Sequence, residues 1–214
     1  MRIYGLMGKK KAGKDLFCTI AQKNLFMTPM APEIHRYAFA DALKEFAIDY
    51  LGVPQEACFG TQEQKLKVIG KFGDFLNPAQ FEEYSADQEM TGRLLLQLVG
   101  TEIFRRNFKS TIWIDLVLRR IQKASECVVH GRENIAIITD ARFKNEFDAI
   151  KSAGGKMIRL FRHTDDVKDQ HASEKEMDTI PKLSFDYLIR KQDNVNIDDL
   201  TQMVGRIFKT EGLL

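Results

Sequence analysis

Gly8, Gly13 and Lys14 fall in the stretch Arg2-Ile3-Tyr4-Gly5-Leu6-Met7-Gly8-Lys9-Lys10-Lys11-Ala12-Gly13-Lys14-Asp15 with the spacing G-x-x-x-x-G-K. The chemistry of that spacing is phosphate binding by backbone amides. Glycine tolerates angles that a side chain forbids, so a turn bounded by Gly8 and Gly13 can aim successive N–H groups at one anion. Lys14 is placed to hold β- and γ-phosphate oxygens as a mobile point charge. Asp15 stands where such loops ordinarily carry Ser or Thr, which makes the metal end of the loop non-standard. Lys9, Lys10 and Lys11 add positive charge that can neutralise phosphate, although a charge run is also what a solvated loop looks like.

A second set lies far along the chain. Asn134-Ile135-Ala136-Ile137-Ile138-Thr139-Asp140 is an apolar run ending in a carboxylate. Asp140 is positioned to hold Mg²⁺ directly or through water; the plainer alternative is that it caps the next turn. Arg142, two residues on, suits bidentate phosphate recognition and the charge that develops in transfer; the plainer alternative is a surface ion pair with Glu146. Cys18, Cys58 and Cys127 form no C-x-x-C, and His35, His130, His163 and His171 lack metal-ligand spacing, so neither a disulfide framework nor a zinc centre is expected.

These residues need elements to position them. Residues 2–7 read as a short apolar strand, and about Lys14 to Asn24 as a helix whose positive N-terminal end adds to the pull on phosphate. Residues 34–39 read as a second strand, followed by a helix to about Leu51 with Asp41 as its N-cap. Residues 52–90 are broken by Gly52, Pro54, Gly60, Gly70, Gly73 and Pro78 and read as an insertion or mobile cap. One helix is expected from Thr91, with Leu94, Leu95, Leu98 and Val99 on its apolar face, and another from Ile112 to Ala124. Asn134–Asp140 is the kind of continuous run buried on both faces of a parallel sheet. Lys144–Ala153 reads as a helix closed by Gly154-Gly155, Met157–Phe161 as a strand, and the segment around Leu200–Phe208 as the last helix. The expected fold is α/β: a mainly parallel sheet with helices on both faces in three layers, carrying a mostly helical insertion. Gly8, Asp41 and Asp140 then fall at or just beyond strand ends, where such sheets place ligands.

The chain has 214 residues, 44% of them hydrophobic, and a net charge of +2. That suits one α/β domain with an insertion and implies no basic surface for long nucleic acid. No apolar run reaches the length of a membrane span, and the N-terminus leaves no room for a signal peptide, so the cytoplasm is the expected location.

Four blocks resemble the phage-type deoxynucleoside monophosphate kinases. They are Gly13-Lys14-Asp15; Ala40-Asp41-Ala42-Leu43-Lys44; Arg93-Leu94-Leu95-Leu96-Gln97-Leu98-Val99-Gly100-Thr101-Glu102 with Asn107-Phe108 and Trp113; and Thr139-Asp140-Ala141-Arg142 with Asn145-Glu146, Ala153-Gly154-Gly155 and Arg159-Leu160-Phe161-Arg162. A His171-Ala172-Ser173-Glu174 element precedes the final strand and helix. The resemblance implies a P-loop kinase fold and transfer of the ATP γ-phosphoryl group to a dNMP with Mg²⁺, for nucleotide supply in DNA synthesis. It places ATP on Gly8, Lys11, Gly13, Lys14, Asp15 and Leu16, and the metal at Asp15 and Asp140. The dNMP falls to Asp41, Lys44, Arg93, Gln97 and Arg142, and the chemistry to Lys14, Arg142 and Arg162. It also implies a homodimer, and host cytoplasm if the chain is phage-encoded. The family loop usually reads Ser-Gly-Lys-Asp-Thr, so Ala12 and Leu16 depart from it; each missing hydroxyl is expected to cost roughly 1.5–3 kcal/mol of phosphate binding. Two other readings stand beside this one: a P-loop kinase with another small phosphorylated acceptor, such as phosphomevalonate or a coenzyme precursor, and a nucleotide-binding regulator without catalysis.

Overall fold

Residues 2–7 alternate toward the two faces of a sheet, as a strand requires. Tyr4 and Leu6 join one buried cluster, while Gly5 lies against Met157 and Ile150 on the other side. The computed structural model describes residues 1–9, 12–25, 32–126, 133–162, 172–191 and 197–214. In chain order the elements are β1 (Arg2–Met7), α1 (Lys14–Leu25), β2 (Glu33–Tyr37), α2 (Phe39–Leu51), α3 (Gln55–Phe59), α4 (Gln62–Leu66), β3 (Val68–Lys71), α5 (Phe72–Phe75), β4 (Glu89–Thr91), α6 (Gly92–Gln97), a π-helix (Leu98–Arg106) and α7 (Ile112–Glu126). There follow β5 (Asn134–Ala141), α8 (Lys144–Ser152), β6 (Lys156–Arg162), α9 (Ala172–Thr179), β7 (Tyr187–Lys191) and α10 (Ile197–Thr210).

Five strands form one sheet in the order β2-β5-β1-β6-β7, and every neighbouring pair is parallel. All carboxyl ends therefore share one edge. The register pairs Met7 with Ala141 on one side and with Arg159 on the other, so the loop after β1 begins beside the end of β5. Ile135 to Ile138 are fully buried, as a strand covered on both faces must be. Phe17, Ile20 and Ala21 of α1 pack with Leu200, Val204, Ile207 and Phe208 of α10 over one face; α8 packs on the other. This is the α/β architecture expected from the alternation of elements.

The chain divides into two compact units, Met1–Phe39 with Val117–Leu214, and Ala40–Leu116. The first holds the sheet. The second is wider than residues 52–90 and includes most of α2. Its core is Ala47, Val53, Ala57, Cys58, Phe72, Met90, Leu95, Leu98 and Val99, so residues 52–90 supply side chains to the core of this unit. They are also not all helix: β3 and β4 pair antiparallel. Phe72 stacks on Tyr84 at 5.0 Å between centroids and meets Phe81 edge-on at 5.6 Å, which makes these rings packing.

Two differences from the sequence reading bear on the site, and the second strand also ends earlier than expected, at Tyr37. α2 starts at Phe39, so Asp41 sits in its first turn instead of capping it. The Phe39 N–H donates instead to Asp140 Oδ1 at 2.7 Å, a partner 101 residues away. The single helix expected from Thr91 is α-helical only to Gln97 and continues as a π-helix. Within that unit the Trp113 indole N–H donates to the Gly100 carbonyl at 3.1 Å.

Candidate functional site

The loop between β1 and α1 is held by short-range bonds. Ala12 N–H donates to the Lys9 carbonyl at 3.1 Å, and Phe17 N–H to Gly13 at 2.8 Å. Two glycines are required. A Cβ at Gly8 would lie 2.5 Å from the Leu160 carbonyl oxygen, so only glycine lets the loop leave against β6. Gly13 has φ +93°, the left-handed region that strains other residues. Lys14 folds back over the loop, its ammonium donating to the carbonyls of Gly8 at 2.7 Å and Lys9 at 3.0 Å. Ala12 is almost fully buried in the sheet core, and Leu16 packs against the same cluster. A serine at 12 would thus bury its hydroxyl.

Asp15, in the first turn of α1, has a side chain 82% exposed, its Oδ1 3.6 Å from Arg36 Nε on β2. Asp140 lies at the end of β5. Arg142 is exposed. The carboxylate of buried Glu146 accepts the backbone N–H groups of Arg142 at 2.7 Å and Phe143 at 3.1 Å, so Glu146 caps the start of α8 rather than serving as a surface partner. Among the described residues no group of three or more His, Cys, Asp or Glu is arranged to hold a metal ion. Mg²⁺ needs no such cage, since it takes one or two carboxylates and completes its shell with water and phosphate. Asp15 and Asp140 both offer that donor chemistry: Asp140, one residue before the partner of Met7 in the register, also accepts the Phe39 N–H, and exposed Asp15 lies 3.6 Å from Arg36. Lys11 lies outside the described residues, as do His163 and His171. Arg162 is the last residue of β6.

The Ala40–Leu116 unit carries a separate cationic group. Lys44 Nζ pairs with Asp41 Oδ1 at 3.0 Å and lies 4.6 Å from the centre of the Phe59 ring, a cation–π contact. Arg93 and Gln97 are exposed one turn apart on α6, and Arg93 reaches Gln62 at 3.4 Å. Lys65 on α4 belongs to the same group. Its pKa is held below the ordinary lysine value by partial burial and by the like charges of Lys44 and Arg93. Three cations gathered around one place suit a multiply charged anion. The sequence reading found Lys44, Arg93 and Gln97 and missed Lys65, whose segment carried no motif. It also left the role of Lys9 open: that side chain is buried and lies 3.7 Å from Asp178 of α9.

Neither described cysteine is a candidate nucleophile. Burial pushes the Cys18 thiol up to about 11. It also raises that of Cys58, with Lys44 and Lys65 opposing.

Comparison with known proteins adds the following. A family model described as deoxynucleotide monophosphate kinase matches residues 53–204. A protein of Acanthamoeba polyphaga mimivirus with a provisional assignment as a deoxynucleotide monophosphate kinase is 27% identical over 200 residues, 88% of each chain. A deoxynucleoside-5'-monophosphate kinase of Escherichia phage T5 is 27% identical over 199 residues, covering 76% of this chain and 74% of its own. An unliganded sugar kinase of Janibacter sp. superposes over 100% of this chain and 95% of its own with TM-score 0.45 and 13% identity.

Proposed function

The chain belongs to the deoxynucleotide monophosphate kinase family, and from that premise we propose that it transfers the γ-phosphoryl group of ATP to a dNMP through the residues described above. The observation that carries the assignment of the donor site is the loop 8–14, seated between β1 and α1 with the Lys14 ammonium folded across it at 2.7 and 3.0 Å from two of its own carbonyls. Carbonyls are weaker partners for an ammonium than phosphate oxygens are. An incoming triphosphate therefore gives Lys14 a better partner, and the amides of the loop and the first turn of α1 complete the cradle.

In the reaction an oxygen of the dNMP phosphate attacks the γ-phosphorus of ATP. The bond to the β–γ bridging oxygen breaks, and ADP leaves as dNDP forms. The work is positioning and charge neutralisation. Lys14 follows the β/γ oxygens, and Arg142 and Arg162 neutralise charge on the transferred group. Lys44, Arg93 and Lys65 bind the monophosphate, with Gln97 beside Arg93 on α6. Asp41 orients Lys44 through their ion pair. Asp140 and Asp15 would hold Mg²⁺, which would supply charge neutralisation on the phosphates. Family likeness also supports a homodimer and, together with the absence of any long apolar helix among the described residues, a cytoplasmic location.

The test is purified protein with ATP, Mg²⁺ and each dNMP in turn, reading ADP and dNDP together. We expect stoichiometric formation of both with at least one dNMP. ATP consumption supported only by a non-nucleotide phosphorylated acceptor would replace this reading with the other kinase reading.

A further inference from the structure

α9 touches both halves of the donor site and belongs to neither. At its C-terminal turn, Asp178 Oδ1 accepts from Arg159 Nη2 at 2.8 Å, and Oδ2 lies 3.7 Å from Lys9 Nζ. Lys9 is the loop residue whose carbonyl receives both Ala12 N–H and the Lys14 ammonium, so a hold on Lys9 is a hold on the node of the loop. Its side chain is only 8% exposed; a lysine so placed needs a counter-charge. Two residues earlier, Glu176 Oε1 accepts the backbone N–H of Lys144 at 2.9 Å. Lys144 opens α8, two residues after Arg142 and just past the end of β5 that carries Asp140. Between the two carboxylates Met177 is buried, and its carbonyl receives Arg159 Nη1 at 3.4 Å. The Arg159 guanidinium lies 5.7 Å from the centre of the buried Phe185 ring. One turn of helix, anchored by Met177, is thus bonded on one side to the phosphate loop and on the other to the start of α8.

We propose that α9 is a strut that sets the phosphate loop in register with the Asp140–Arg142 segment at the end of β5, with Asp178 and Glu176 as its two positioning residues. Neither contacts the reacting atoms. Asp178 acts through Lys9 and Arg159, and Glu176 through the backbone at Lys144. This rests on the reading that the 8–14 loop holds the donor triphosphate. The consequence is specific: loosening the strut weakens the donor side and leaves the acceptor side intact, because the acceptor cations Lys44, Lys65 and Arg93 lie in the Ala40–Leu116 unit.

The test compares ATP and dNMP KM values for the full chain and for D178N, D178E, K9A, D178N/K9A and E176A, with K14A as control. We expect D178N to raise the ATP KM about tenfold while the dNMP KM stays within about twofold. D178E should restore most of the loss. The double variant should be no worse than the worse single, as coupled residues require. E176A should reproduce the ATP defect and carries the test if D178N does not fold. An ATP KM within about twofold of wild type in both D178N and E176A, or equal losses for both substrates with a fall in melting temperature, overturns the strut. If K14A leaves ATP binding unchanged, the donor-loop reading fails instead, and the strut with it.

Discussion

Lys65 shows how charge alone can mark a site that no motif announces. It sits on a short helix, its burial is partial, and the charges of Lys44 and Arg93 press against its own. In the proposed function a dNMP phosphate would relieve that repulsion. Lys65→Ala should raise the dNMP KM about tenfold and leave the ATP KM unchanged, as loss of one charged phosphate contact implies; steady-state kinetics with each substrate varied in turn checks this. The pH dependence follows with a definite sign. A lysine whose pKa is lowered gives up its proton, and its grip on phosphate, at a pH below the ordinary 10.5. The profile of kcat/KM for dNMP should therefore fall on its alkaline side below that value, and Lys65→Arg should move the limb upward. An alkaline limb unmoved by that change would assign the titration elsewhere.

At the scale of elements, the parts set by local chemistry were readable and the parts set by distant partners were not. The strand–loop–helix of residues 2–25 is encoded by two glycines at the positions that demand them and by apolar spacing on both sides. The buried run at 134–141 is encoded by continuous hydrophobicity. The start of α2 was misplaced because its N-terminal acceptor is Asp140, which no local pattern near Asp41 reveals. The π-helix was missed for a related reason. Leu94, Leu95, Leu98 and Val99 fit an α-helical face, and the widening after Gln97 is matched by an indole from Trp113, thirteen residues beyond Gly100. Such segments mostly interrupt α-helices, and here the buried indole N–H serves the Gly100 carbonyl. Trp113→Phe keeps the ring and removes the donor, so it should cost about 1–3 kcal/mol, the usual penalty for a stranded buried carbonyl. Chemical denaturation measures it; an unchanged midpoint would mean the π segment does not need the indole. Of the candidate site, the loop with Gly8, Gly13 and Lys14 was legible because it is built from consecutive residues. The cationic group of Lys44, Lys65 and Arg93 was half legible because its members come from α2, α4 and α6.

For the whole molecule, the sheet unit is closed by its two chain ends. Glu211, just past α10, accepts from Lys156 at 2.6 and 2.7 Å and from the Tyr187 hydroxyl, with Arg2 3.9 Å away. One carboxylate therefore ties together β1, β6, β7 and the C-terminus. Burial alone would raise its pKa, but the bonds from Lys156 and Tyr187 and the charges of Lys156 and Arg2 outweigh it and hold the group below 4.5. A depressed carboxylate stabilises the fold above its unfolded pKa, and that contribution is lost as pH falls through the folded value. Stability should thus fall with acid from the ordinary carboxylate range downward. Glu211→Gln should cost about 2 kcal/mol at neutral pH, the scale of a charge-assisted bond, and should flatten the acid limb. Thermal melts from neutral pH to pH 3 decide it, and an acid limb identical in the variant would place the titration in other carboxylates.

In the proposed reaction the loop from Gly8 to Lys14 holds ATP as the phosphoryl donor to a dNMP. The most direct measurement follows label from the γ-phosphate of ATP into dNDP, for wild type and Lys14→Ala, at saturating dNMP. The account predicts label in dNDP with wild type, and kcat/KM for ATP lower by about a hundredfold or more in the variant with the dNMP KM unchanged. Label that never reaches a deoxynucleotide, or a Lys14→Ala protein that transfers it at the wild-type rate, would contradict it.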